Sequence, residues 1–122
     1  MHFKLIIAFV SNDKTDTILE AARDNGATGS TVISQARGEG LEHTKTFFGL
    51  NVEAHRDVLL LLVEQHLSRK ILETVAESGE FESNSKEGIA FQIDVEDAVG
   101  VMHQIEALEH QVEEKLWQRQ LL

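Results

Sequence analysis

The sequence predicts an α+β sandwich built from two repeated βαβ units, with a long loop after the second strand and an added C-terminal helix. Three observations carry this. Two apolar runs, Phe3–Val10 and Val58–Val63, are each followed by an amphipathic segment that closes on a glycine, Gly26 and Gly79. Between Ile89 and Val95, apolar and polar residues alternate with the period of a strand.

The elements follow in chain order. Phe3–Val10 is almost continuously apolar and reads as a strand. Ser11–Lys14 offers helix caps, with Asp13 preceding the first turn. Thr15–Asn25 then places Ile18, Leu19 and Ala22 on one side of a helix that Gly26 should stop. Thr28–Ala36 reads as the second strand, and a polar, glycine-bearing loop runs from Gly38 to Arg56. Asp57–Glu64 holds six consecutive apolar residues, the strongest strand signal in the chain. Gln65–Ser78 reads as a helix with Leu67, Ile71, Leu72 and Val75 inward, stopped by Gly79, and a polar loop spans Glu80–Glu87. The order βαββαβ is the ferredoxin-like pattern, with strand order 4-1-3-2 and the two most apolar strands central. Helices cover one sheet face; the other should be covered by association of copies.

Val101–Leu122 reads as a third helix, with Val101, Ile105, Leu108, Val112 and Leu116 forming one stripe. That stripe suits packing on the domain or a neighbour; a coiled coil or docking helix is the competing reading. The chain is thus expected to be one domain, core 3–100 and helix 101–122.

Composition excludes whole classes of function. The 122 residues carry a formal net charge of −10, which opposes nucleic acid as a partner. There is no cysteine, so disulfides, thiolate chemistry and cysteine zinc sites are excluded. No run approaches the ~20 apolar residues of a membrane span. No secretory leader is expected at the N-terminus, and the expected compartment is the cytoplasm. No nucleophile with an evident base, phosphate loop or dinucleotide fingerprint is present, so no enzyme is expected.

The stretch Gly26-Ala27-Thr28-Gly29-Ser30-Thr31-Val32, followed by Gly38-Glu39-Gly40 and by His43-Thr44 with Gly49, resembles PII signalling proteins from about Phe3 to Val101. The resemblance implies a homotrimer that holds an adenine nucleotide between subunits, with no required cofactor, and a mobile loop after strand two that reads out occupancy. It implies a regulated protein partner, with a membrane transporter or channel as one class. By this analogy Thr31 lies near the base, Gly38 and Gly40 offer backbone N–H groups to phosphate, and Gly88 belongs to the facing loop, with Leu62 a further nucleotide-binding candidate. Arg37 is the nearest phosphate cation, with Lys45 or Lys86 assisting. Equally open are Gly38 and Gly40 as plain turn residues and Arg37 as a solvated edge cation.

The departures are specific. The chain has no tyrosine, so the loop tyrosine modified in some PII proteins is absent, with Val52 or a neighbour in its place. Val99-Gly100-Val101-Met102 stands where the family carries a phosphate-gripping arginine pair, and Leu41 and Glu42 replace residues that support 2-oxoglutarate and magnesium. AMP or ADP is therefore favoured over ATP with 2-oxoglutarate, since fewer cations suit fewer phosphate charges. Phe47, Phe48, Gly49 and Leu50 form the expected partner-binding loop, unless strands two and three extend and bury them. His103, Glu106 and His110 could share a helix face, although a solvated face is the simpler reading and no metal is expected. The competing functions are a divalent-metal trimer resembling CutA proteins and a structural trimer without nucleotide.

Overall fold

The computed structural model describes residues 1–36, 46–47, 50–51, 56–82, 88–101, 106, 109–110, 112–114 and 116–118. Its elements are β1 (Phe3–Ser11), α1 (Thr15–Asp24), β2 (Thr31–Ala36), β3 (Thr46–Phe47), β4 (Leu50–Asn51), β5 (Arg56–Glu64), α2 (Gln65–Ser78) and β6 (Gly88–Val95). The main sheet has the order β2-β5-β1-β6, antiparallel throughout, which is the expected 4-1-3-2 arrangement. β3 and β4 pair only with each other, Phe47 opposite Leu50, inside what the sequence suggested was loop. Two-residue strands carry too little periodicity to be read from sequence.

Strand parity decides which side chains meet the helices. Ile6, Ala8 and Val10 of β1 and Leu59, Leu61 and Val63 of β5 are buried, and their registers place them side by side. Ile18 and Ala22 of α1 and Leu67, Ile71 and Val75 of α2 close over them. Fully burying each such aliphatic side chain stabilises by about 1.5–3 kcal/mol. Leu19 and Leu72, also expected inward, sit at the margin of this core.

The opposite parity forms a second face, turned away from α1 and α2. Leu5, Ile7 and Phe9 project there from β1, and Val58, Leu60 and Leu62 from β5. β6 adds Ile89, Phe91 and Ile93, with Phe91 38% and Ile93 46% exposed. The clean alternation of β6 thus aims its apolar side away from the helices. Phe9 and Phe91 lie 6.2 Å apart between ring centroids on this open face.

The helix ends are built differently from expectation. Asp13 does not cap α1; it accepts a hydrogen bond from Ser11 Oγ at 2.6 Å, and Lys14 holds the cap position with no side-chain cap. Instead the buried Thr15 hydroxyl donates to Asp57 Oδ2 at 2.6 Å, tying the first turn of α1 to the start of β5. The 2% exposed Glu64 caps α2, accepting from the His66 backbone N–H at 2.7 Å and from its ring Nδ1 at 2.6 Å.

α1 ends with Gly26 in the left-handed region at φ 109°, with Gly26 N–H bonded to Arg23 O and Ala27 N–H to Ala22 O. α2 repeats this pattern one residue later than Gly79. Glu80 N–H bonds to Glu77 O, Phe81 N–H to Ala76 O, and Glu80 takes the left-handed conformation at φ 58°. That conformation costs a non-glycine residue about 1–2 kcal/mol. Lys14 Nζ meets Glu80 Oε2 at 2.9 Å.

Gly79 answers to packing instead: a Cβ there would lie 2.9 Å from Phe81 Cδ1 and 3.1 Å from Ile18 Cδ1. A Cβ on Gly88 would lie 2.6 Å from Phe81 Cζ and 2.8 Å from Cδ1. The buried Phe81 ring therefore rests on two glycines, one before it and one at the start of β6.

At the C-terminus, residues 106, 109–110, 112–114 and 116–118 are helical, whereas Val101 is not. Val101 and Val112, two of the five residues of the expected stripe, pack against the core, while Ile105 and Leu108 lie outside the described residues. Leu116, from the same stripe, is 42% exposed and Trp117 60% exposed.

Candidate functional site

β2 is an edge strand, and Thr31, its first residue, pairs with Leu60 of β5. That register places Thr31, Leu60 and Leu62 on the open face, and Leu5 reaches the same place from β1. With Gly29 and Ser30 they line a depression of about 470 Å³, within the ~300–1,000 Å³ typical of small-molecule sites. Its base is aliphatic, from Leu5, Leu60 and Leu62. Among the described residues its polar groups are the hydroxyls of Ser30 and Thr31 and the local backbone, and no charged side chain lines it. Such a lining suits a flat, weakly polar ring with a few hydrogen-bonding edges. A Cβ on Gly29 would meet nothing within 4 Å, so Gly29 keeps the rim low.

The structure brings Thr31 and Leu62 to one depression. Gly88 lies on β6, at the other edge of the sheet from β2, and the space above its α-carbon is filled by Phe81. One chain does not bring Gly88 to Thr31. Arg37, Gly38 and Gly40 lie outside the described residues, as do Leu41, Glu42, His43, Lys45, Val52 and Lys86. Of the expected partner loop, Phe47 and Leu50 belong to the β3–β4 ribbon, while Phe48 and Gly49 lie outside the described residues.

Leu5, Gly29, Ser30 and Leu60 complete the depression and were not singled out from sequence. Parity offered a signal for one of them: Leu60 shares a strand face with Leu62, and any strand-two residue paired there joins them.

Charged groups cluster elsewhere. Asp94, on β6, has its carboxyl held below the usual carboxylate range, first by the hydrogen bond from His2 and then by Lys4 at 3.0 Å. Asp13 is lowered mainly by its bond from Ser11. Among the described residues no group of three or more His, Cys, Asp or Glu gathers where a metal could be held, and His103 lies outside them. No helix among them is long and apolar enough to cross a membrane.

Comparison with known proteins agrees with this fold. A PII-like signalling protein from Thermus thermophilus has a similar fold, with TM-score 0.58 and 23% identity over 78% of this chain and 87% of that one. CPII from Thiomonas intermedia, solved with ADP, AMP and acetate, has TM-score 0.58 and 17% identity over 79% of this chain and 90% of its own. The same protein with ADP and bicarbonate has TM-score 0.55 and 15% identity over 78% of this chain and 87% of its own. No curated protein matches the chain. The family model for nitrogen regulatory protein P-II, whose members are signalling regulators rather than enzymes, matches residues 3–104. With that match spanning most of its length, the chain belongs to the nitrogen regulatory protein P-II family.

Proposed function

We propose that this PII-like signalling protein works as a cytoplasmic homotrimer that binds an adenine nucleotide, AMP or ADP in preference to ATP with 2-oxoglutarate, and passes its occupancy to a partner protein. The observation that carries the reading is the depression beside Thr31, aliphatic at its base, without a charged side chain among the described residues, and set on the open face of the sheet.

The placement favours association. Nine apolar side chains of β1, β5 and β6 look outward from that face, more than a monomer ordinarily exposes as one patch. A second copy laid on it would supply Gly88 from its own β6, so each pocket would be completed across a subunit seam. Arg37, Gly38 and Gly40, next in the chain after β2, are proposed to meet the phosphates. The ADP and AMP held by CPII favour the same ligand class here. The β3–β4 ribbon, with Phe47 and Leu50, is the proposed partner element, and a membrane transporter or channel is the expected class of partner.

Calorimetry with AMP, ADP and ATP tests the ligand. At least one should bind with Kd below about 1 mM, roughly 4 kcal/mol of binding free energy; no detectable binding by any of them rejects the reading. Light scattering should give the mass of three chains, and a stable single chain rejects the seam.

A further inference from the structure

The family match ends at residue 104, so the helical residues beyond it are an addition to the P-II frame. Their placement links them to the pocket. Glu114 and Gln118 line a cleft of about 340 Å³ whose other wall is Arg23, Asp24, Asn25 and Gly26, the C-terminal end of α1, above the buried Leu67. Val112, on the same helix, holds it against the core.

The chain leaves that wall and runs directly into the depression: Gly29, Ser30 and Thr31 line it on the opposite side of the sheet. The intervening stretch is stiff at its near end. Gly26 N–H bonds to Arg23 O at 3.1 Å, Ala27 N–H to Ala22 O at 3.0 Å, and the Asn25 side chain to Ala21 O at 2.9 Å. Ala27 is itself buried, and only Thr28 separates it from Gly29. A shift at the end of α1 therefore reaches the pocket rim with little slack to absorb it.

We propose that the C-terminal helix is a built-in regulatory arm of this pocket, with Glu114 and Gln118 as positioning residues that set the rim at Gly29–Thr31 through residues 25–28. The proposal rests on the nucleotide reading above. Coupling of this kind is reciprocal: pocket occupancy must alter the helix as much as the helix alters affinity.

Trp117 is the only tryptophan in the chain and neighbours Gln118, so it reports on this helix alone. The full-length protein is titrated with ADP, following Trp117 fluorescence excited at the red edge of indole absorption, with calorimetry in parallel. The emission should change and saturate with the calorimetric Kd. Glu114→Lys, which sets a cation against Arg23, and Gln118→Phe, which fills the cleft, should each change the ADP Kd at least ~5-fold. Glu113→Lys makes the same charge change on an exposed neighbour that does not line the cleft, and should leave Kd within twofold. Circular dichroism and scattering mass identify any variant that fails to fold, in which case the other decides. A silent Trp117 during calorimetric binding, or an unchanged Kd in the folded cleft variants, overturns the proposal while leaving the nucleotide reading intact. Absence of calorimetric binding by any adenine nucleotide removes both.

Discussion

Replacing Gly88 by alanine should destabilise the protein through one side chain, Phe81. The new Cβ would stand 2.6 Å from Phe81 Cζ and 2.8 Å from Cδ1, where real contacts begin near 3.4 Å. Gly88 is held in register opposite Val10, so the strand cannot easily yield. The ring must move instead, and it is only 8% exposed, beneath the turn that ends α2. Overpacking of this kind costs about 1–3 kcal/mol. Phe81→Ala on its own should cost about 3–5 kcal/mol, the range for emptying a buried aromatic site. In the Phe81→Ala background the clash has no partner, so Gly88→Ala should then cost less than about 0.5 kcal/mol, leaving a coupling of more than about 0.5 kcal/mol. Urea denaturation of the four proteins at one fixed chain concentration measures the cycle, since the proposed assembly would make stability concentration-dependent. Phe81→Leu provides a milder background if the alanine variant does not fold. Additive costs, within about 0.5 kcal/mol, would refute the claim that Gly88 is a glycine because of Phe81.

Three further outcomes are expected. Leu60→Glu places a charge at the centre of the open face and on the base of the depression; light scattering should show smaller or non-specific assemblies and calorimetry a loss of nucleotide binding. Thr15→Val removes the hydroxyl that donates to buried Asp57, and urea denaturation should show a loss of about 1–3 kcal/mol from the unsatisfied carboxylate. Asp94 has a folded-state pKa below 3.8, so its contribution is present above that value and lost as pH falls through the lowered one. NMR titration should find it below 3.8, and His2→Ala, which removes the largest cause, should bring it back toward 3.8.

The frame was legible because its signals are summed over many residues. The six-residue run Val58–Val63 could only be an inner strand, and the glycine-ended helices marked the repeat. What escaped depends on single partners distant in sequence. Gly79 looked like an ordinary helix stop, but the left-handed residue is Glu80, and both Gly79 and Gly88 yield to one phenylalanine ring. Asp13 satisfied a local capping rule, yet α1 is fastened by Asp57, 42 positions away from Thr15. Thr31 and Leu62 could be found by likeness to a family, whereas Leu5 and Leu60 join them through strand register, which sequence alone does not fix.

The open face also governs what happens to the chain at birth. In a lone chain, water meets the outer rows of β1 and β5 and the row ending in Phe91 and Ile93. If copies associate over this face as proposed, each newly synthesised one stays adhesive for a time set by how soon it collides with its own kind. Dilution lengthens that interval, so at low expression the main hazard is capture by other oily surfaces, and at higher expression correct pairing outruns it.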